Sequence, residues 1–158
     1  MARLLLVERD LIMAGEQPDR ERLESLIPFT HHRWRLLLLA WQPEQWRPTR
    51  RSVDEALVIQ QQTHEQLVRW GADLDGFVYL PSPVFGRRRQ RCDTLTRVIE
   101  RYQFDADHCW LISSRELDVE VAVLTGLQAI FISTAARQPP GTRIAADLEQ
   151  AIRHLPRD

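Results

Sequence analysis

Two acidic residues directly follow the first apolar run of the chain. In the stretch LLLVERDLI, Glu8 and Asp10 lie two residues apart, just after a buried strand predicted for Leu4–Val7. Acids at the end of a buried strand can act as a nucleophile or metal ligand and as a general acid or base. This pair is therefore the first candidate for a chemically active site.

The elements that must position these acids alternate between short apolar strands and amphipathic helices. The predicted strands are Leu4–Val7, Arg35–Ala40, Phe77–Leu80, Cys109–Ser113 and Ala129–Ser133. Their alternation with helical segments predicts an α/β fold in which a five-stranded parallel sheet lies between two helical layers. A closing helix is predicted at about residues 142–155. In such sheets the site lies beyond the carboxyl ends of the strands, where Glu8 and Asp10 are.

Length and composition indicate one globular domain spanning residues 1–158. The chain is 44% hydrophobic and 27% charged with a net charge of −1, and all of its basic residues are arginine. A net charge near zero gives no general attraction to nucleic acid or anionic lipid. The N-terminal apolar run is soon closed by charged residues, so it is too short for a signal peptide or a membrane span. We therefore expect a cytoplasmic protein with no membrane partner.

Four short segments follow the predicted strands in order: ERDL at Glu8–Leu11, AWQ at Ala40–Gln42, RRRQ at Arg87–Gln90 and SSRELD at Ser113–Asp118. Their order and spacing resemble the motifs of the haloacid dehalogenase (HAD) superfamily, which read Asp-Arg-Asp-Gly, Thr-Asn-Gln, Cys-Arg-Lys-Pro and Gly-Asp-x-x-x-Asp. Within that superfamily, the chain is most similar to the small bacterial phosphatases that act on histidinol phosphate and on heptose bisphosphate.

The resemblance covers about residues 3–134 and implies a Rossmann-like HAD core with strand order 5-4-1-2-3. Larger members insert a mobile cap domain after the first strand. Here only Met13–Gln17 separates that strand region from the first helix, so we expect a capless core with an open pocket.

The resemblance assigns the catalytic positions to Glu8, Asp10 and Arg89, and the metal-binding positions to Glu8, Ser114 and Asp118. Glu8 is one methylene longer than the family's aspartate, which displaces the attacking oxygen by about 1 Å and costs about a hundredfold in rate. Arg89 replaces a lysine with a bulkier, bidentate cation. Ser114 removes an anionic ligand from the magnesium site. Only Asp10 and Asp118 match the family.

These departures predict a catalytically degenerate protein that acts as a binding or assembly subunit. Ala40 adds to them, since it lacks the hydroxyl with which the family holds the phosphoryl group. The alternative is a divergent magnesium-dependent phosphatase acting on a sugar phosphate such as heptose bisphosphate, or on histidinol phosphate. No cofactor is expected in the first case and magnesium only in the second. The family's zinc loop is not expected, because the corresponding stretch offers only Cys92.

Two surfaces are candidates for binding. The candidates for an anion or phosphorylated ligand are Arg9, Ala40, Gln42, Arg88, Arg89 and Arg115. The run Arg87–Arg91 is interpreted either as a solvated loop or as an anion clamp. Trp41 and Trp46 follow the second strand and either fill the pocket or anchor a protein partner or a second copy of the chain. Nucleic acid is not expected, because no stacking aromatics interleave with the arginines.

Overall fold

The computed structural model describes residues 2–15, 17–41, 50–70, 73–80 and 88–157, without the side chains of residues 41, 50–53 and 56. In this part of the chain the strands are β1 (Arg3–Glu8), β2 (Met13–Ala14), β3 (Gln17–Pro18), β4 (Trp34–Trp41), β5 (Gly76–Leu80), β6 (Cys109–Ser113), β7 (Gln128–Ile132) and β8 (Thr142–Ala145). The α-helices are α1 (Arg20–Leu26), α2 (Arg50–Arg69), α3 (Arg88–Arg101), α4 (Glu116–Leu124) and α5 (Leu148–Arg153).

The main sheet has the order β5-β4-β1-β6-β7-β8, and all of its neighbouring strands run parallel. This confirms the predicted order of the first five long strands. The prediction of five strands was wrong by one, because β8 adds a sixth strand beside β7. A separate antiparallel hairpin, β2–β3, follows β1.

The sixth strand also corrects the prediction of a closing helix at about residues 142–155. Thr142–Ala145 extends along the open edge of β7, where it satisfies backbone groups that a helix would have left unpaired. The helix α5 begins only at Leu148. Asp147 is its N-cap residue, and the Asp147 side chain accepts a hydrogen bond from the Gln150 backbone N–H. This C-terminal part also belongs to the core, because Leu155 is buried with it. The core therefore extends beyond the bounds of about residues 3–134 that the resemblance implied.

The sheet is covered by helices on both faces. Alternate residues of β1 face opposite clusters: Leu5 and Val7 pack with α1 and α5, whereas Leu4 and Leu6 pack with α3 and α4. Burial on both faces explains why the strands are continuous apolar runs. The structure thus has the three layers predicted from the sequence.

The connection from β1 to α1 contains a 3₁₀ turn at Arg9–Ile12 and the β2–β3 hairpin. This short connection agrees with the expectation that no cap domain is inserted after the first strand. Among the described helices, none is both long and apolar enough to cross a membrane.

Candidate functional site

The candidate site lies at the carboxyl ends of the two central strands. β1 and β6 are parallel neighbours in register, with Val7 beside Ile112. Glu8, the last residue of β1, and Ser113, the last residue of β6, therefore emerge side by side at the same edge of the sheet. The turn after Ser113 leads into α4, which brings Asp118 back towards the same edge.

The Glu8 carboxylate is buried, with 3% of its surface exposed, and both of its oxygens are engaged. Oε2 accepts hydrogen bonds from the Ser114 backbone N–H at 2.7 Å, from the Ser114 hydroxyl at 2.7 Å and from the Ser113 hydroxyl at 3.2 Å. Oε1 lies 3.2 Å from Nε of Arg115. A buried carboxylate is stable only when it is paired and hydrogen-bonded in this way.

Arg115 connects the two acids that follow β1. Its Nε meets Glu8, and its Nη2 lies 2.6 Å from Oδ2 of Asp10. The Asp10 side chain is half exposed, whereas that of Arg115 retains only 21% of its surface. The planar guanidinium thus spans the gap between the acids, a geometry for which its fork of N–H groups is suited.

Asp118 is fully buried and faces a fully buried arginine. Its Oδ1 lies 3.4 Å from Nη1 of Arg91, and its Oδ2 accepts a hydrogen bond from the Ser113 hydroxyl at 3.2 Å. Burial lowers the pKa of Arg91 below its ordinary value, while the Asp118 charge opposes that change and the Arg115 charge adds to it. Removing either charge would leave the other buried without its opposite, so the two depend on each other.

Ser113 links the two halves of this arrangement. Its hydroxyl lies 3.2 Å from both Glu8 and Asp118, and its oxygen accepts a hydrogen bond from the Arg115 backbone N–H. Because a hydroxyl carries one hydrogen, it serves the two carboxylates as a shared donor. We refer to the linked side chains as the acid–arginine site, which consists of Glu8, Asp10, Arg91, Ser113, Ser114, Arg115 and Asp118.

Every carboxylate of the acid–arginine site meets an arginine side chain. The pairs are Arg115 with Glu8 and Asp10, Arg91 with Asp118, and Arg9, at the border of the site, with Asp10. Each negative group is therefore already paired with a cation from the same chain.

The structure brings together five of the residues predicted to form the site: Glu8, Asp10, Ser114, Arg115 and Asp118. Arg9 lies at its border, with Nη2 at 3.5 Å from Asp10. Ala40 is buried near the end of β4 and supplies no polar side-chain atom. Gln42, Trp46 and Arg87 lie outside the described residues, as does the side chain of Trp41.

The resemblance places Arg89 at the position of the family's lysine. In the structure, the arginine of this segment that is buried in the site is Arg91. Arg89 is exposed on α3, and its neighbour Arg88 pairs with Glu120 at the surface, 2.9 Å away. Arg91 shares one helical face with the buried Leu95 and Ile99, at intervals of four residues. That spacing was the available signal, because an arginine aligned with a core stripe must enter the core.

Among the described residues, no group of three or more His, Cys, Asp or Glu side chains is arranged to hold a metal ion. Glu8 and Asp10, the two acids that follow β1, both pair with the Arg115 guanidinium.

No protein-family model matches the sequence, and no curated protein does. Solved structures do match. D,D-heptose 1,7-bisphosphate phosphatase from B. bronchiseptica, complexed with magnesium and phosphate, is 16% identical, with a TM-score of 0.77 and 96% of each chain covered. The corresponding enzyme from Burkholderia thailandensis is 16% identical, with a TM-score of 0.70 and the same coverage. A dehalogenase is 13% identical, with a TM-score of 0.60, over 90% of this chain and 59% of that one.

These matches define the class of fold: the chain has the three-layer α/β fold of these solved structures, which is the fold that the resemblance to the HAD superfamily implied. Within that class it is similar over nearly its full length to heptose bisphosphate phosphatases.

Proposed function

We propose that this chain is a pseudophosphatase, a protein with a HAD phosphatase fold that binds a partner or ligand without hydrolysing a phosphomonoester. The observation that carries the proposal is the position of Arg115, which pairs with both Glu8 and Asp10, at 3.2 and 2.6 Å. By the resemblance, these two acids occupy the positions of the nucleophile and of the general acid. Both acids therefore form ion pairs with Arg115, a residue of the same chain.

The surroundings of Glu8 support the proposal. A nucleophile needs a free lone pair aimed at the reacting atom. The Glu8 oxygens accept three hydrogen bonds from Ser113 and Ser114 in addition to the ion pair with Arg115. A hydrogen bond to a charged group contributes about 1.5–3 kcal/mol, so releasing the carboxylate for attack would cost several kcal/mol before any chemistry began.

Magnesium does not fit the described residues in their present arrangement. Mg²⁺ is bound in the heptose bisphosphate phosphatase from B. bronchiseptica, and this ion requires about six oxygen ligands in octahedral geometry. In this chain Glu8 faces Arg115 and two serine donors, and Asp118 faces Arg91 and Ser113. Each of these two carboxylates, which the resemblance assigns to the metal site, is therefore already paired with a guanidinium.

A binding role is proposed because the fold is intact although the carboxylates of the acid–arginine site are paired with arginines. The prediction that Trp41 and Trp46 anchor a protein partner falls outside the described residues and stays a prediction. Recognition of a phosphorylated ligand also stays a prediction. Arg88 pairs with Glu120, yet an exposed pair of this kind contributes about 1 kcal/mol or less, so a phosphate group can displace the Glu120 carboxylate.

The alternative function, a divergent magnesium-dependent phosphatase, is favoured by one observation. The Asp10 side chain is half exposed, so it can still exchange a proton with a molecule in the open pocket. This function would require Arg115 to leave Glu8 and Asp10 when the substrate binds.

Hydrolysis of a phosphomonoester panel with magnesium, including heptose bisphosphate and histidinol phosphate, decides between the two. We expect no turnover above the level of Asp10→Asn. The matched control is Asp107→Asn, which neutralises an exposed acid elsewhere in the described structure. Turnover that is lost in Asp10→Asn and kept in Asp107→Asn would overturn the proposal. Calorimetric titration of the same compounds shows whether any is bound without being hydrolysed.

A further inference from the structure

A cavity lies at the opposite end of the sheet from the acid–arginine site. Trp34 is the first residue of β4 and pairs with Arg3 at the start of β1, so both mark the amino ends of the strands. The cavity has a volume of about 380 Å³, and its lining includes Ser25, Phe29, Trp34, Arg153, Leu155 and Arg157. Small-molecule sites in proteins begin at about this size.

The floor of the cavity is apolar and held in place. Phe29 and Trp34 meet edge to face, with ring centroids 5.1 Å apart, and both are almost fully buried. The Arg3 guanidinium lies 5.5 Å from the centroid of Trp34. Leu155, from the segment after α5, adds a buried aliphatic wall. Aromatic rings fixed from more than one side give a preformed surface for an apolar group.

The rim of the cavity carries positive charge. Arg153 and Arg157 are among the lining residues, and no Asp or Glu lines the cavity. Arg153 does pair with Glu149 at 2.6 Å, but both side chains are largely exposed. Exposed pairs one helical turn apart are weak, so an incoming anion can compete for the arginine. An apolar floor below cationic groups matches a molecule that has an apolar body and one anionic end.

We propose that this cavity binds a small organic anion with an acyl or aryl body, whose anionic group contacts Arg153 and Arg157 while its apolar part packs on Phe29 and Trp34. The site is separate from the acid–arginine site, since the two lie at opposite ends of the sheet. The proposal therefore does not depend on whether the chain is a pseudophosphatase.

The test is a calorimetric titration of the full chain with octanoate, compared with octanol, which has the same apolar body without the charge. We expect saturable binding of one octanoate per chain and at least about tenfold weaker binding of octanol, because charge-assisted hydrogen bonds are lost. Displacement of anilinonaphthalene sulfonate, an aryl anion whose fluorescence rises in apolar sites, gives a second readout.

Two variants locate the binding. The double variant Arg153→Gln/Arg157→Gln removes the rim charges and should weaken octanoate by about tenfold or more. Its matched control is Arg97→Gln/Arg101→Gln, which removes the same charge from the exposed side of α3 and should bind like the unaltered chain. Ser25→Trp places a large ring at the cavity wall and should abolish binding.

Three results would overturn the proposal: no saturable binding of octanoate, equal affinity for octanol, or equal loss in the two arginine double variants. If Ser25→Trp fails to fold, the arginine variants still decide, because they change exposed side chains and leave the core intact. Binding that survives in Arg153→Gln/Arg157→Gln at full strength would place the anion elsewhere on the protein.

Discussion

Arg115→Ala is the change that most directly tests how the acid–arginine site works. The substitution removes the guanidinium that lies 3.2 Å from Glu8 and 2.6 Å from Asp10. Removing one partner of a buried ion pair costs about 3–5 kcal/mol. We expect the lower end of this range, about 3 kcal/mol, because Glu8 keeps its serine hydrogen bonds and Asp10 is half exposed.

This loss should be visible in thermal unfolding. In a domain of this length, each kcal/mol of stability shifts Tm by about 2–4 °C, so Arg115→Ala should melt about 6–12 °C below the unaltered chain. The matched control is Arg88→Ala, which breaks an exposed pair with Glu120. That pair contributes about 1 kcal/mol or less, and the control should melt within a few degrees of the unaltered chain.

The same variant should acquire a response to magnesium. With the guanidinium gone, Glu8 and Asp10 face a gap that a divalent cation can enter. If Mg²⁺ binds there with a Kd of about 1 mM, then about 10 mM Mg²⁺ adds about 1.4 kcal/mol of stability, which raises Tm by about 3–6 °C. The unaltered chain and Arg88→Ala should show no such shift.

Two results would refute this reasoning. Equal stabilisation of the unaltered chain and Arg115→Ala by magnesium would show that Arg115 does not take the place of a metal ion. A loss of stability in Arg115→Ala no larger than in Arg88→Ala would show that the two ion pairs of Arg115 contribute little. The assay is a melting curve followed by circular dichroism, with and without magnesium.

Three further predictions concern the core and the sheet. Arg91→Met and Asp118→Asn should each lower the free energy of unfolding, measured in urea, by about 3–5 kcal/mol. The double variant should lose less than the sum of the two single losses, and strict additivity would show that the two charges are not coupled. Burial raises the pKa of Cys109 from 9.0 to about 12, so the folded chain holds this proton more tightly than the unfolded chain, and stability is lost as pH rises above 9. Relative to Cys109→Ala, the unaltered chain should lose about 2 kcal/mol of unfolding free energy between pH 9 and about pH 11, and parallel urea midpoints would contradict this. Gly141→Ala should lower the free energy of unfolding by about 1–2 kcal/mol, because Gly141 has a φ of +76° and an added Cβ would lie 3.1 Å from Cγ1 of Val123. An unchanged urea midpoint would show that the turn relaxes freely.

Most of the fold follows from local patterns that the sequence displays directly. The continuous apolar runs at β1, β4 and β6 can only be strands buried on both faces, and their alternation with helices fixes a parallel α/β sheet. Gly126, two residues after the end of α4, has a φ of +86°, a conformation that glycine adopts readily at the end of a helix. β8 was not predicted, because its strand conformation depends on the open edge of β7, a partner that lies outside its own segment.

The residues of the candidate site were likewise predicted from the sequence in part, whereas several of their contacts were not. Glu8 and Asp10 were predicted from the end of a buried strand, because the ends of parallel strands lie at one edge of the sheet, and Asp118 was predicted from the resemblance to the HAD motifs. The sequence also showed which positions depart from the HAD motifs. It did not show that Arg115 would bridge two of the acids or that Arg91, rather than Arg89, would be buried against the third. Those contacts join residues 27 to 107 positions apart in the chain, and only the packing of α3 and α4 against the sheet decides them.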